Sequence, residues 1–292
     1  MIGVDWGSTS FHAFRLAGDA VRDRRASPRG IQTVPDGRFG DALREEIGPW
    51  LAGGERHVLL SGAIATQPGW MAPDLPCPAG PAEIAAGLVD VAFDWAEVKV
   101  VPALSCTETG APDLTREATL ILGALAQMGG AGFACVPGRR SLWARVESGR
   151  IIGFSTHLTG EAFAAWRGLA LPGRAFREGP PSDRDAFDAG VARAAQPGGL
   201  LHHLSQMRAL AASGQLPEGS GGSFLWGVLV GYEVRAALAE GAGGHMVYVI
   251  GAPELTAPYA RAVEAAGGMA ERLNGDAVAR GLALIGAAAR WG

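Results

Sequence analysis

The sequence predicts an α/β protein made of two related halves that flank a ligand cleft. Three short strands are expected to open the first half within residues 1–34, and a second such set is expected within residues 132–156. Helices and single buried strands follow each set. The chain has 292 residues, of which 48% are apolar and 18% charged, so it can form two hydrophobic cores. We therefore expect an N-terminal domain at residues 1–130 and a C-terminal domain at residues 131–292, whose last helix can pack back toward the first domain, with a small-molecule site in the cleft.

Local patterns define the elements of the first half. Residues 1–16 predict a β-hairpin, because apolar residues alternate on both sides of the polar turn Gly7-Ser8-Thr9-Ser10. The other predicted elements are a strand or loop at 21–34, a helix at 41–51, a buried strand at 57–63, a long Pro/Gly-rich loop at 66–81, helical spacing at 81–91, a strand at 98–102, a loop at 105–115 and a helix at 117–128.

The second half follows the same scheme. Its predicted elements are strands at 133–136, 142–146 and 150–155, a helix opened by Thr159, alternating helices and loops over 173–222, a long helix at 223–240, a buried strand at 246–250 and helices at 256–266 and 276–290. The apolar stretch 118–137 contains three glycines, which favour a short helix, a glycine break and a buried strand over a membrane span.

Composition narrows the function class. The net charge is −4 with scattered basic residues, which argues against a nucleic-acid-binding surface. Only Lys99 among 25 basic residues is a lysine, so a cation that contacts phosphate here is expected to be an arginine. Three distant cysteines and an N-terminus that enters a strand at once predict a cytoplasmic protein without disulfides. Trp226 and its apolar neighbours are expected in the core or in a homodimer contact.

The turn of the first hairpin is the most informative segment. Asp5 follows an apolar run, and Gly7-Ser8-Thr9 comes directly after it. Glycine allows close approach of an anion, amides and hydroxyls can bind it, and a carboxylate can hold magnesium through water. From spacing alone, an ordinary hairpin turn is an equally good interpretation.

Further short motifs follow this turn in a fixed order along nearly the whole chain. They are Asp5-Trp6-Gly7-Ser8-Thr9, Ser61-Gly62, Gly69-Trp70, Ala72-Pro73, Pro76-Cys77-Pro78-Ala79-Gly80, Pro112-Asp113, Glu117, Thr119, Gly123-Ala124, Pro137-Gly138, Trp143, Phe154-Ser155-Thr156, Thr159-Gly160-Glu161, Phe224-Leu225-Trp226-Gly227, Gly231, Glu233, Gly251, Leu255-Thr256, Tyr259 and Gly275-Asp276. In this order and spacing they resemble the 2-dehydro-3-deoxygalactonokinase family of actin-like sugar kinases.

The resemblance implies a fold and a reaction. The fold would be two duplicated ribonuclease H-like (actin-like ATPase) domains. The reaction would be ATP-dependent phosphorylation of 2-dehydro-3-deoxy-D-galactonate, or a related sugar acid, on its terminal hydroxyl, with Mg²⁺, in galactonate catabolism. Phosphoryl transfer depends mainly on positioning and charge neutralisation, which suits such loops.

The resemblance also implies roles for individual residues. Asp5 would orient magnesium-bound water, Glu117 would hold the metal, and Asp113 would be the general base. The phosphate contacts would be Gly7, Ser8, Thr9, Gly138, Arg139, Arg140 and Ser141. The adenosine contacts would be Gly251, Ala252, Leu255, Thr256 and Asp276, and the substrate contacts Trp70, Thr159 and Glu161. Plain helix capping is the alternative for Asp113, Glu117 and Asp276, packing for Trp70, and a first-turn helix charge for Glu161.

Three segments depart from the family pattern. The second phosphate loop is Pro137-Gly138-Arg139-Arg140-Ser141-Leu142-Trp143, where the family has Pro-Gly-Thr-His-Ser-Lys-Trp. The segment 115–120 lacks one glutamate and the glutamine of the connecting helix, and residues 66–68 lack an arginine suited to a substrate carboxylate. The two arginines of the second loop suit bidentate phosphate contacts or a solvated turn. These changes fit an altered substrate, or a member that binds nucleotide or sugar acid without catalysis.

Overall fold

The computed structural model describes residues 1–107, 110–168, 182–273 and 276–292, without the side chain of Arg208. Gly275 and part of the predicted 173–222 region lie outside the described residues. The described strands are β1 (Ile2–Trp6), β2 (Phe11–Ala17), β3 (Ala20–Ser27), β4 (His57–Ser61), β5 (Leu75–Pro76), β6 (Val89–Val91), β7 (Glu97–Val100), β8 (Leu104–Cys106), β9 (Asp113–Thr115), β10 (Gly132–Val136), β11 (Ser141–Glu147), β12 (Arg150–His157), β13 (Met246–Ile250) and β14 (Met269–Leu273).

The α-helices complete the set of elements. They are α1 (Phe39–Ala52), α2 (Pro81–Ala86), α3 (Ala118–Ala124), α4 (Thr159–Gly168), α5 (Arg184–Ala194), α6 (Gly199–Ala212), α7 (Gly221–Ala237), α8 (Pro253–Ala265) and α9 (Ala277–Ala288). Short 3₁₀ turns occur at Ile31–Thr33, Pro35–Gly37 and Ala63–Ala65, and a π-helical turn at Leu238–Ala242.

Internal contacts divide the chain into two compact units. Unit 1 contains residues 1–131, 144–155 and 275–292, and unit 2 contains residues 132–143 and 156–274. Unit 1 therefore does not end at the expected boundary near residue 130. It also includes residues 144–155 and residues 275–292, and the latter range contains the last helix.

Two sheets share one strand order. The first sheet has the order β3-β2-β1-β4-β7-β6, and the second has β12-β11-β10-β13-β14. In the first, β1 pairs antiparallel with β2 and parallel with β4, and β4 pairs parallel with β7. In the second, β10 and β13 pair parallel, as do β13 and β14. This repetition confirms the predicted duplicated α/β architecture.

Apolar alternation explains the core of unit 1. Ile2, Val4 and Trp6 of β1 are fully buried, and they pack in one cluster with Leu43 and Ile47 of α1. The indole Nε1 of Trp6 donates a 2.9 Å hydrogen bond to a backbone carbonyl, which satisfies the polar atom of this buried ring. The carboxyl end of β1 is therefore held rigidly.

Helices α3 and α9 of unit 1 cross with their backbones in contact. A Cβ atom at Gly123 would lie 1.6 Å from the carbonyl oxygen of Ala277, and one at Gly281 would lie 1.8 Å from that of Thr119. Arg280 Nε also donates to the carbonyl oxygen of Gly123 at 2.8 Å. Only glycine permits this separation, because any side chain would push the helices apart.

Three local predictions were wrong. The predicted loop at 105–115 contains strand β9 and part of β8, which are only three residues each and too short for a periodic signal. Helical structure in 81–91 ends at residue 86, where Gly87 caps α2, and strand β6 follows. Strand β14 was missed because four of its five residues are not buried, so it lacks an apolar run.

The apolar stretch 118–137 forms α3, a glycine-rich turn and β10, as predicted. Among the described residues, no helix combines the length and apolarity that crossing a bilayer requires. Cys77, Cys106 and Cys135 form no disulfide bond with one another.

Candidate active site

Backbone hydrogen bonds to its carbonyl oxygens fix the turn between β1 and β2, residues Gly7–Ser10. Gly7 N–H donates to Ser10 O at 2.9 Å and closes the turn. From outside the turn, Ile31 N–H donates to Gly7 O at 3.0 Å and Gln32 N–H donates to Ser8 O at 3.1 Å. Three carbonyl oxygens of the turn, those of Gly7, Ser8 and Ser10, are therefore engaged in backbone hydrogen bonds.

The tip of this turn is open to solvent. Ser8 and Thr9 are exposed, and their amide groups donate to no acceptor within the part of the chain that the structure describes. On the other side the backbone of Gly30 lies so close that a Cβ atom there would be 2.2 Å from Thr9 N. The tip therefore combines a rigid backing with exposed hydroxyl groups and amide groups, as phosphate binding requires.

Asp5 ends β1 beside the end of β4. Its register partner is Ser61, whose hydroxyl donates to Val4 O at 3.2 Å. A Cβ atom at Gly62 would lie 2.7 Å from Asp5 Oδ1, and Gly62 has a φ of +93°, so glycine suits this position on both counts. Burial raises the pKa of Asp5 to about 6.

Glu117 lies directly before α3. Its side chain makes no capping hydrogen bond, so the capping alternative for this residue is wrong. The residue as a whole is exposed, but burial of its carboxyl group and the charge of Asp5 raise its pKa to about 7, against a smaller opposite effect of Arg116. Asp5 and Glu117 form no salt bridge among the described residues, and each favours a nearby cation.

The other predicted carboxylates of unit 1 also have defined surroundings. Asp113 begins β9 and its Oδ1 accepts the N–H of Leu114 at 2.8 Å, so it does not cap α3. Asp276 precedes α9 but makes no side-chain cap; both its oxygens pair with the guanidinium of Arg24. The capping alternatives for these two residues are therefore wrong as well.

Trp70 packs against the core of unit 1. Its ring meets Trp6 edge-on at 6.4 Å and Phe39 at 6.2 Å between centroids, and the residue is half-buried. Packing accounts for its buried part, while the exposed part stays available for a ligand.

The second predicted phosphate loop lies between β10 and β11 in unit 2. Arg139 and Arg140 are exposed and form no salt bridge with any described residue. The start of α4 packs directly on the loop: Glu161 N–H donates to Arg139 O at 2.9 Å, and a Cβ atom at Gly160 would lie 2.4 Å from Gly138 O. The loop is held by α4, and its two exposed guanidinium groups have the charge and geometry to bind an anion.

Three predicted residues of unit 2 are less accessible than their roles suggest. Thr159 is buried at the start of α4, and Glu161 is half-buried in the first turn. Ser141 is fully buried, with its hydroxyl 3.5 Å from His157 O. The full burial of Ser141 does not fit the direct phosphate contact that the loop motif implied.

The predicted adenosine loop leads from β13 into α8. Gly251 has a φ of +144°, and the amides of Leu255 and Thr256 both donate to Ala252 O at 3.0 Å. Thr256 is fully buried, and its hydroxyl has no partner among the described residues. An unsatisfied buried hydroxyl costs about 1–3 kcal/mol, which a hydrogen-bonding ligand in this loop would recover. Asp276 belongs to unit 1, unlike the other four predicted adenosine residues.

Sequence reasoning gave no role to Glu233 of α7. The residue is 4% exposed in the core of unit 2, where Trp143 Nε1 and Tyr259 Oη each donate to it at 2.8 Å. The available signals were its place among the family motif positions and its being the one carboxylate within α7.

Comparison with known proteins decides the family. The family model for 2-keto-3-deoxy-galactonokinase matches residues 5–285. The chain belongs to this family. It is 29% identical over 279 residues to the 2-dehydro-3-deoxygalactonokinase of Escherichia coli K12, covering 94% of this chain and 93% of that protein. The family comprises phosphotransferases that act on an alcohol group, so the chain is an enzyme of that class.

Solved structures agree with this assignment. A Sinorhizobium meliloti structure assigned as a 2-dehydro-3-deoxygalactonokinase has a TM-score of 0.84 and 27% identity, with coverage of 98% of this chain and 97% of that chain. The activator of 2-hydroxyisocaproyl-CoA dehydratase from Clostridium difficile, solved with bound ADPNP, has a TM-score of 0.52 at 12% identity and covers 98% and 94%. The second likeness shows the fold alone, which confirms the predicted actin-like ATPase fold.

Proposed function

We propose that this chain transfers the γ-phosphoryl group of ATP to the terminal hydroxyl of 2-dehydro-3-deoxy-D-galactonate, a step of cytoplasmic galactonate catabolism. The observation that carries the proposal is the Asp5–Glu117 carboxylate pair close to the exposed tip of the first loop, in a chain whose family match begins at Asp5. Homodimerisation stays a prediction.

The first loop supports the phosphate part of the proposal. Ser8 and Thr9 are exposed residues in a turn held by backbone hydrogen bonds, and Arg139 and Arg140 are exposed cations in a loop held by α4. In this proposal these groups bind the phosphates and neutralise the charge that develops on the transferred group.

Asp5 and Glu117 fit a magnesium ion. Among the described residues no group of three or more His, Cys, Asp or Glu side chains could hold a metal. Magnesium commonly uses one or two carboxylates, with waters and substrate phosphates as its remaining ligands. The raised pKa values of both carboxylates indicate unrelieved negative charge that a dication would offset. When bound, the ion would polarise the phosphate oxygens.

Asp113 is our proposed general base. A carboxylate that accepts the proton of the attacking hydroxyl makes the oxygen a better nucleophile. Its Oδ1 accepts the N–H of Leu114 at 2.8 Å, which orients the carboxylate at the start of β9. Asp113→Asn should therefore lower kcat and leave the magnesium requirement unchanged, whereas Glu117→Gln should raise the magnesium concentration needed for half-maximal rate.

The experiment measures magnesium-dependent ADP release with 2-dehydro-3-deoxygalactonate and a panel of related sugar acids. Wild-type protein should turn over at least one of them, and Asp5→Ala should abolish turnover. Asp19→Asn, an exposed carboxylate in the turn after β2, is the matched control and should retain full activity.

Two results would contradict the proposal in different ways. If no acid is phosphorylated while ATP still raises the melting temperature, the chain binds nucleotide without catalysis. If ATP causes no thermal shift either, the nucleotide site itself is refuted. Full turnover by Asp5→Ala would refute the metal position.

A further inference from the structure

Unit 2 contains a buried chain of hydrogen bonds that the proposed reaction does not use directly. Glu233 accepts from Trp143 Nε1 with Oε1 and from Tyr259 Oη with Oε2, both at 2.8 Å. The chain thus runs from β11 through α7 to α8.

The network is buried and specific. Tyr259 is fully buried, Trp143 is 4% exposed, and both belong to the same core cluster, which is otherwise apolar. Glu233 forms no salt bridge within the described ranges of the chain. A carboxylate buried without a cation destabilises the folded state unless hydrogen bonds satisfy it. A hydrophobic side chain of similar size would fill the same space without that destabilisation. Stability alone does not explain its presence.

The two ends of the network lie next to the two candidate nucleotide loops of unit 2. Trp143 lies three residues after the exposed Arg140 of the second phosphate loop. Tyr259 lies one turn after Thr256, on the helix that the adenosine loop opens. Hydrogen bonds to a charged group are the strong and directional ones, so they define the spacing between these segments.

We propose that Glu233 is a positioning residue that holds the second phosphate loop and the adenosine loop at the separation one nucleotide requires. The inference rests on the proposed function, because it assumes that both loops bind ATP. It predicts that breaking the network weakens nucleotide binding and leaves sugar-acid binding unchanged.

Conservative variants test this role. Tyr259→Phe keeps the ring and removes the hydrogen bond to Glu233, and Trp143→Phe removes the other hydrogen bond to Glu233. We expect each to raise KM for ATP about tenfold, the effect of losing roughly one good hydrogen bond, with KM for the sugar acid unchanged. Glu233→Leu should have the same effect, and Glu233→Gln should restore most of the affinity, because its amide can accept from the indole and donate to the phenol.

Val234→Ala is the matched control. Val234 is fully buried on the same helix but takes no part in the network. It should lower the melting temperature without changing either KM. The inference is overturned if Tyr259→Phe and Trp143→Phe behave like Val234→Ala, or if the KM values for both substrates rise together.

Direct binding separates this inference from the proposed function. Calorimetry with a non-hydrolysable ATP analogue reports nucleotide affinity even if no sugar acid is turned over. Normal analogue binding by Tyr259→Phe overturns the positioning role alone. Failure of the wild-type protein to bind the analogue overturns the nucleotide site and the positioning role together.

Discussion

Replacing Asp5 by Asn should stabilise the protein while abolishing catalysis. Burial raises the pKa of Asp5 from 3.8 to about 6, so the folded state disfavours the charged form. Each pKa unit corresponds to about 1.4 kcal/mol, which makes the cost of the buried charge about 3 kcal/mol when the group is fully ionised. Asn has nearly the same shape and carries no charge, so it removes this cost.

The gain in stability from Asp5→Asn should depend on pH, because only the ionised form of Asp5 destabilises the folded state. The penalty is fully present above pH 6, where Asp5 is ionised in both states, and it disappears below pH 4, where Asp5 is protonated in both. The stabilisation by Asn should therefore be greatest near pH 8 and vanish near pH 4. At 2–4 °C per kcal/mol, the melting temperature near pH 8 should rise by about 6–12 °C.

The assay is thermal and urea unfolding of metal-free and nucleotide-free protein at pH 8, 6 and 4.5, with Asp19→Asn as control. A variant that is no more stable than wild type at pH 8 would refute the reasoning. A gain of equal size at all three pH values would also refute it, since the effect would then not come from ionisation.

Three further predictions concern other groups. Activity should fall as pH drops below about 7, because Glu117 becomes protonated. A profile of kcat/KM between pH 5.5 and 8.5 should show this decrease for the wild-type protein and should not show it for Glu117→Gln. Gly160→Ala would place a Cβ atom 2.4 Å from a carbonyl oxygen of the second loop; it should raise KM for ATP, whereas Gly222→Ala, with open space around it, should not. Gly123→Ala should destabilise the protein by about 3–5 kcal/mol in urea unfolding, and Gly48→Ala, which meets nothing within 4 Å, should not.

Local signals allowed much of the fold to be predicted. The first hairpin, helix α1 and the second set of strands each follow from periodicity within a few residues. The short strands β8 and β9 could not be predicted, because three residues carry no period. Strand β14 failed for another reason: it lies at the edge of its sheet, so pairing rather than an apolar run defines it.

The residues of the candidate site could be predicted from the sequence, but the electrostatic interactions between them could not. Asp5 and Glu117 could be named from motifs, but their mutual charge effect requires residues 112 positions apart to converge. The same holds for Asp276, whose partner Arg24 is 252 positions away. The position of Ser141 was mispredicted because strand alternation, which turns its side chain inward, overrides the loop motif.

The crossing of α3 and α9 has a consequence for how the chain is made. Residues 156–274 of unit 2 form one long stretch of sequence, but unit 1 includes α9, which is translated after that stretch. While the ribosome is still synthesising unit 2, the groove of α3 around Gly123 has no helix to fill it. Nascent unit 1 therefore exposes this surface until α9 has been synthesised. Chaperones that bind exposed apolar segments can act on unit 1 during that interval.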